Sequence, residues 1–363
     1  MYLSSSQPPW FAFLVHPRDH EELLTMPGGS LLREYSDSDE EFVRKVTSNP
    51  PVVCDDVLFM GSAVRGEIVG VPRLPESILT PEGNRAVVDA MSLGVQRGAR
   101  VIGLGALTAP ATAGGRALLR HVPRHVTLTN GNGLTAAVAR RNVVEAAAWS
   151  PATGNARVAI LGATGSVGQA VSRLLADDGF ELVLIGPTRE RVERLLGDLL
   201  DRAVVGRGLA GAAEADIVLS LTNSPSAAIA PRVLRAGAIV IDIAQPHNID
   251  DERVAAFVDR DIVVARGGVV RIPGYSCARD FRLASGRDSF ACLAETYLLA
   301  CEGIREHSVG SPSPTYARRM DELAVDRGVV VCPLEPVAAP NADMRALQPK
   351  PASRQIDIGG TRA

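Results

Sequence analysis

The chain has 363 residues, a length that favours two domains over one, and 46% of them are hydrophobic, as in a globular protein. A net charge of −3 with no concentrated basic face gives no reason to expect a nucleic-acid partner. Five cysteines without a CxxC pair or metal-ligand spacing indicate a reducing cytoplasm and no metal site. The apolar run Trp10–Val15 is too short to cross a bilayer, so we expect no integral membrane segment.

Strands alternate with helices through residues 1–150, which predicts an α/β domain. Its predicted strands are Trp10–His16, Val52–Phe59, Val64–Val71, Val101–Leu104 and Val126–Leu128. Its predicted helices are Asp19–Leu24, Glu40–Val46, Pro81–Gly98, Gly115–Arg120 and Leu134–Trp149.

A second domain is predicted over residues 151–270, after the turn-forming segment Ser150–Asn155. Short apolar runs separated by helices are typical of a parallel sheet covered on both faces, and therefore of a doubly wound Rossmann-type domain. Its predicted strands are Arg157–Leu161, Leu182–Ile185, Ile217–Leu221, Ala238–Ile243 and Ile262–Ala265. Its predicted helices are Val167–Asp177, Arg189–Leu200 and Ala227–Arg235.

Residues 271–335 begin with an arginine-rich loop and continue with two predicted helices, Asp288–His307 and Thr315–Arg327. We expect these helices to pack back on the first domain. The Pro/Ala/Arg/Gln composition of residues 336–363 predicts a disordered tail.

A glycine-rich loop between the first strand and first helix of the second domain is the candidate cofactor site. Backbone amides and a helix amino end in this context bind a pyrophosphate, and glycines allow the tight turn and the close approach. The alternative is a strand–helix turn that binds nothing. The residues that we expect to contact the cofactor are Gly162, Ala163, Thr164, Gly165, Ser166, Val167 and Gly168.

The end of the next strand indicates which nicotinamide dinucleotide is used. No acidic residue stands there to bind a ribose 2′-hydroxyl, whereas Thr188, Arg189 and Arg191 suit a 2′-phosphate. This favours NADPH, although the two arginines could also simply face water. Thr222 and Asn223, after a later strand, either contact the ribose or only end that strand.

Two dehydrogenase chemistries need a catalytic lysine: the Tyr/Lys pair of short-chain dehydrogenases and the Lys-Asp pair of the shikimate dehydrogenase type. Both are excluded, because the chain has only Lys45 and Lys350. A thiol remains. Cys292 lies near the start of the helix predicted from Asp288, where Asp288 or Ser289 could cap the helix and its dipole would lower the pKa of the thiol. The alternative is an inert buried cysteine.

Several segments resemble the long-chain acyl-[acyl-carrier-protein] reductases, which reduce fatty acyl thioesters to aldehydes with NADPH. The segments are Phe11–His16, Gly66–Gly70, Leu104–Ala106, Thr129–Asn132, Val158–Gly165, Arg266–Val270, Phe290–Glu295 and Cys332–Leu334. The resemblance implies that Cys292 is the acylated nucleophile. It also implies an acyl carrier protein, or a coenzyme A thioester, as the partner that delivers the acyl group.

Within that mechanism the helix amides near Cys292 are the first oxyanion donors, with Thr129, Asn130 and Asn132 as further candidates. His16 is a candidate proton donor, although a histidine at a strand end is commonly structural. An aldehyde-consuming enzyme is a further expected partner. Two alternatives stay open: an NADP-dependent dehydrogenase that acts on a free carbonyl without a covalent step, and a non-catalytic NADPH-binding protein.

Overall fold

The computed structural model describes residues 10–149, 156–222 and 228–338. The first six-stranded sheet has the order β13-β2-β3-β1-β4-β5, in which β3, β1, β4 and β5 are parallel and β2 and β13 are antiparallel to their neighbours. Its strands are β1 Phe11–Val15, β2 Val52–Phe59, β3 Arg65–Gly70, β4 Val101–Leu104, β5 Thr127–Thr129 and β13 Tyr275–Cys277.

The helices around this sheet begin where the sequence provides caps. Ser38, Thr80 and Asp19 each accept a bond from a first-turn amide of the helix that follows. The helices are α1 His20–Thr25, α2 Gly29–Glu34, α3 Asp39–Thr47, α4 Pro75–Ile78, α5 Pro81–Gln96, α6 Thr108–Ala111 and α7 Asn132–Ala147, with a 3₁₀ turn at Arg116–Leu118.

The second sheet has seven strands in the order β16-β11-β10-β9-β6-β7-β8. The six strands from β11 to β8 are parallel and follow the Rossmann order, with the switch point between β6 and β9. The strands are β6 Arg157–Leu161, β7 Glu181–Ile185, β8 Ala203–Val205, β9 Ile217–Ser220, β10 Ile239–Asp242, β11 Val263–Arg266 and β16 Glu335–Ala338, and the helices are α8 Ser166–Asp177, α9 Arg189–Leu196 and α10 Asp251–Val258. The predicted fold class, α/β with a doubly wound Rossmann-type domain, is confirmed.

Four elements of the second sheet and its surroundings correct the expectations. No α-helix forms over the described part of Ala227–Arg235, where Pro231 leaves only a 3₁₀ turn at Pro231–Val233. Helix α10 and strand β8 were not predicted. Residues 336–338 do not belong to a disordered tail, because they form part of β16, which pairs antiparallel with β11 at the edge of the sheet. An edge strand tolerates Pro336, which has no amide hydrogen to donate. The rest of the predicted tail, and the boundary segment at 150–155, lie outside the described residues.

The expected helix from Asp288 begins later than predicted. Asp288–Phe290 is strand β14, which pairs with β12 Val269–Arg271 in a three-stranded sheet completed by β15 Val330–Val331. The helix is α11 Ala291–Glu302, and α12 Pro314–Asp326 follows it. Asp288 forms an ion pair with Arg271, 2.8 Å apart, and so belongs to the strand pairing rather than to a helix cap.

Helix α7 packs in both hydrophobic cores. Leu134 and Val138 lie in the core that α11 forms with the first sheet, and Ala139 and Val143 lie in the core of the second sheet. Helix α11 is buried on nearly all sides. The two sheets therefore share one buried helix, and the carboxyl ends of their parallel strands face a common cleft.

Candidate active site

A cavity of about 670 Å³ lies in this cleft, and we call it the interdomain cavity. The first domain contributes the residues that follow β1, β4 and β5, and the second contributes the loops after β6, β9 and β10. Ligands of open α/β sheets bind at this edge of the strands. Both the glycine loop and Cys292 lie on the wall of the cavity.

The glycine loop is built as a tight strand–helix turn. Gly162 has φ +88°, and a β-carbon at Gly168 would lie 2.2 Å from the carbonyl oxygen of Gly162. Gly162 and Ala163 donate their amides to the Ile185 carbonyl, and they position the turn without facing the cavity. Thr164, Gly165, Ser166, Val167 and Gly168 line the cavity.

The start of α8 is shaped for an anion. Its N-cap is Gly165, and no side chain caps it, so the first amides of the helix point toward the cavity. The Ser166 hydroxyl accepts a 2.7 Å bond from Asn132 and donates to the Gly310 carbonyl. These residues fit a dinucleotide whose pyrophosphate lies at the amino end of α8.

The ends of β9 and β10 form another part of the cavity wall. It is lined by Leu221, Ile243, Ala244 and Gln245, which only their position at strand ends marks in the sequence. Thr222 does not line the cavity; its carbonyl accepts a bond from Asn248. Asn223 lies outside the described residues.

The arginines of α9 divide into two groups. Thr188 is the N-cap and accepts a bond from the Arg191 amide, so it starts the helix rather than facing the cavity. Arg189 is exposed and paired with Glu193, 2.6 Å away, and it does not line the cavity. Arg191 does line it, together with Arg194, which the sequence analysis missed. Their spacing of three residues puts both on one face of α9.

Cys292 lies in the first turn of α11, directly against the amino end of α7. The N-cap of α11 is Phe290, which makes no side-chain cap, so neither Asp288 nor Ser289 caps this helix. Gly131 has φ +67°, and a β-carbon there would lie 2.3 Å from both Cα and Cβ of Cys292. The amino ends of two helices therefore meet at the thiol.

The expected lowering of the thiol pKa does not appear. Burial raises the pKa of Cys292 to about 12, and the nearby Glu295 carboxylate acts in the same direction. Amide hydrogen bonds from Leu293 and from Cys292 itself oppose the rise without overcoming it. Desolvation exceeds the effect of the helix dipole here, so Cys292 is a neutral thiol at neutral pH.

Glu295 is fully buried and holds this junction together. Its carboxylate accepts bonds from the Thr129 hydroxyl at 2.6 Å, the Leu134 amide at 2.7 Å and the Tyr316 hydroxyl at 3.1 Å. Burial raises the pKa of this carboxyl. The side chain thus joins α11 to the first turn of α7 and to α12.

His16 lines the cavity but is buried and bonded at both ring nitrogens. Its Nδ1 donates to the Pro17 carbonyl at 2.8 Å, and its Nε2 accepts from the Leu107 amide at 3.3 Å. Burial lowers the pKa of His16 to about 4, so the ring is neutral. This geometry favours a structural imidazole and gives no support to a proton-donor role.

The three expected oxyanion donors differ in their surroundings. Thr129 is buried outside the cavity, and its hydroxyl donates a hydrogen bond to Glu295. Asn130 faces the cavity, but its amide donates to the carbonyls of Gly114 and Gly310, at 3.0 and 2.8 Å. Asn132 also faces the cavity and donates to Ser166. The side-chain hydrogens of Thr129 and Asn130 are all engaged in this state, whereas the Asn132 amide has a second hydrogen besides the one bonded to Ser166.

No helix of the described residues has the length and apolar character needed to cross a membrane.

Comparisons with known proteins agree with a nicotinamide-binding domain in this chain. Residues 157–295 match the family model described as the semialdehyde dehydrogenase NAD binding domain. The long-chain acyl-[acyl-carrier-protein] reductase of Synechococcus elongatus is 31% identical in a 300-residue alignment that covers 74% of this chain and 82% of that protein. A nicotinamide-binding oxidoreductase domain is therefore present in the chain.

Two further relatives are more distant. Aminotransferase PigE of a Serratia species is 28% identical over 292 residues, 76% of this chain, but the chain spans only 33% of that protein. Shikimate dehydrogenase of Aquifex aeolicus aligns with 88% of this chain and 99% of its own, at a TM-score of 0.42 and 9% identity. A structural likeness at this level says nothing about function.

Proposed function

Since this chain belongs to the family of long-chain acyl-[acyl-carrier-protein] reductases, we propose that it reduces an acyl thioester to a free aldehyde with NADPH, through an acyl group held on Cys292. The observation that carries the proposal is that Cys292 and the glycine loop line one cavity. A thiol and a dinucleotide site that open into the same space can act on the same carbonyl carbon.

Cys292 attacks the carbonyl carbon of the thioester and gives up its proton as the new carbon–sulfur bond forms, and a proton is taken up by the departing sulfur. The carbon–sulfur bond to the pantetheine arm breaks, that sulfur leaves as a thiol, and the acyl group stays on Cys292 as a new thioester. NADPH, when bound, supplies the hydride that reduces this carbonyl. The carbon–sulfur bond to Cys292 then breaks, which releases the aldehyde, and the sulfur takes a proton from water to restore the thiol.

The amino ends of α7 and α11 stabilise the charges of these steps. The amides of Cys292 and Leu293 in the first turn of α11 lie at the thiol, and the amino end of α7 contacts Cys292 at Gly131. The positive ends of both helix dipoles therefore lie where a thiolate and then a tetrahedral oxyanion develop. In the free protein the raised pKa of the thiol disfavours the charged form. Deprotonation is therefore coupled to the attack rather than completed before it.

Both ends of the substrate have support in the wall of the cavity. Phe13, Phe281 and Phe290 form an apolar surface beside Cys292 that suits an acyl chain. Arg191 and Arg194 face the cavity from α9 and suit a 2′-phosphate, which favours NADPH over NADH. An acyl carrier protein or coenzyme A is the expected donor, and an aldehyde-consuming enzyme the expected next partner.

Covalent labelling tests the proposal. The protein is incubated with an acyl thioester but without NADPH, and the peptides are weighed by mass spectrometry. One acyl mass is expected on the peptide that contains Cys292, and NADPH should remove it with release of aldehyde. Cys292→Ala should form neither adduct nor aldehyde while still binding NADPH.

The same experiment tests the two alternatives. Cys301→Ala is the matched control, because Cys301 lies on the same helix outside the interdomain cavity. Reduction of thioesters by Cys292→Ala at near the wild-type rate would favour direct hydride transfer to a free carbonyl. Binding of NADPH with no turnover of any thioester or aldehyde would favour a non-catalytic protein.

A further inference from the structure

Arg116 projects from the first domain into the interdomain cavity, and its guanidinium has no hydrogen-bond or carboxylate partner among the described residues. Two other arginines that line the cavity, Arg18 and Arg279, differ from Arg116 because both form an ion pair with Glu22. A guanidinium that faces a cavity without a protein partner is suited to an anionic ligand.

An unusual backbone directs Arg116 toward the cavity. The three residues before it, Ala113, Gly114 and Gly115, all have left-handed conformations, with φ of 52°, 70° and 89°. This conformation is strained for alanine, and such strain persists where the surroundings fix it. The Gly310 amide fixes it here by donating to the Gly114 carbonyl at 2.7 Å.

Contacts of Gly310 place Arg116 beside the glycine loop. A β-carbon at Gly310 would lie 2.5 Å from Nη2 of Arg116, so the guanidinium packs closely against the Gly310 main chain. The carbonyl of the same residue accepts a bond from Ser166, the first residue of α8. Gly310 therefore lies between the guanidinium and the first residue of α8.

We propose that Arg116 binds the pyrophosphate of the nicotinamide dinucleotide from the first-domain side of the cleft. The amides of α8 approach the phosphates from the second domain, and Arg116 neutralises them from the first. The cofactor is thereby held by both domains, and its binding stabilises the cleft in which Cys292 lies. This inference rests on the proposed function for its cofactor.

Titration of two dinucleotides tests the inference, because both contain the pyrophosphate and only NADPH carries a 2′-phosphate. Arg116→Ala should weaken NADPH and NADH binding by the same factor, about ten- to a hundredfold, measured by nicotinamide fluorescence. Arg191→Ala should weaken NADPH binding alone. Arg116→Lys should recover part of the affinity, because it keeps the charge but loses the paired hydrogen bonds.

Arg120→Ala is the matched control and should leave both affinities unchanged. Arg120 follows Arg116 on the same segment, is exposed and lies outside the cavity, with its Nε bonded to His121. Thermal melting shows whether each variant is folded. If Arg116→Ala does not fold, the partial loss of affinity expected for Arg116→Lys still tests the inference.

Three results would overturn the inference: unchanged binding of both dinucleotides, a loss confined to NADPH, or weaker binding of coenzyme A alone in calorimetric titration. The last would assign the guanidinium to a phosphate of the acyl donor. Failure of the proposed function is separate: the wild-type protein would then form no acyl adduct on Cys292 and release no aldehyde, whatever Arg116→Ala does to the affinity for the two dinucleotides.

Discussion

Gly131 and Cys292 are in direct van der Waals contact, so the amino end of α7 and the first turn of α11 touch at the thiol. The contact depends on the missing side chain, since a β-carbon at Gly131 would lie 2.3 Å from Cα and Cβ of Cys292. The left-handed φ of +67° at Gly131 also favours glycine. Glu295 fixes the two helices in this relation by accepting the Leu134 amide.

Gly131→Ala should therefore push the two helices apart at the nucleophile. We expect acylation of Cys292 to fall at least tenfold and the free energy of unfolding to fall by about 2–4 kcal/mol, from overpacking and backbone strain together. Acyl labelling followed by mass spectrometry measures the first, and chemical denaturation measures the second.

Gly303→Ala is the control for backbone strain alone. Gly303 ends the same helix with φ +60°, and a β-carbon there would meet nothing within 4 Å. It should lose about 1 kcal/mol of stability and keep normal acylation. Equal behaviour of the two variants would mean that the contact with Cys292 does not matter.

Replacement of Glu295 tests whether it positions the junction. A glutamine cannot accept from the Leu134 amide and from the hydroxyls of Thr129 and Tyr316 in the present arrangement, because one of its two polar atoms is a donor. Glu295→Gln should lower the free energy of unfolding by about 1–3 kcal/mol. Glu302→Gln, at the exposed end of the same helix, should cost under about 1 kcal/mol. Similar melting temperatures for the two variants would contradict the positioning role.

The preference for NADPH should depend on Arg191 and Arg194. Each alanine variant should weaken NADPH binding by about ten- to a hundredfold and leave NADH binding unchanged, since only NADPH has the 2′-phosphate. Arg189→Ala should change neither affinity, because Arg189 pairs with Glu193 outside the cavity. A wild-type protein that prefers NADH would show that these arginines have another role.

Local patterns were sufficient for the first strand and the glycine turn of the Rossmann-type domain, but they missed α10 and β8 there and did not reveal the surroundings of the nucleophile. The strand Arg157–Leu161 was predicted with its observed bounds, because a buried parallel strand is a short apolar run closed by a glycine turn. Asp288 and Ser289 resemble helix caps in the sequence, yet they pair with β12, a contact that no local pattern contains.

The same limit explains which arginines of α9 line the cavity. Thr188 sets the first residue of α9, and that start decides which side chains face the cavity. Counted from there, Arg191 and Arg194 share a face, while Arg189 meets Glu193 four residues on. The composition of this segment indicated a phosphate site, but the choice of arginines required the position of the helix relative to the cleft.

The pH dependence of Cys292 alkylation tests whether burial, which raises the pKa of the thiol, outweighs the helix amides, which lower it. Only the thiolate reacts, and burial next to Glu295 raises the pKa of Cys292 to about 12. The rate of reaction with iodoacetamide should therefore increase about tenfold per pH unit from about pH 7 to pH 9 without a plateau, whereas a small free thiol levels off near its pKa of about 8.5. Peptide mapping, with Cys292→Ser as the control, assigns the rate to this residue.

In Glu295→Gln the curve of alkylation rate against pH should move toward lower pH, since the carboxylate that disfavours the thiolate is gone. A plateau below about pH 8 in the wild-type protein would mean that the amides at the ends of α7 and α11 outweigh desolvation, and that Cys292 is already a thiolate before the substrate binds.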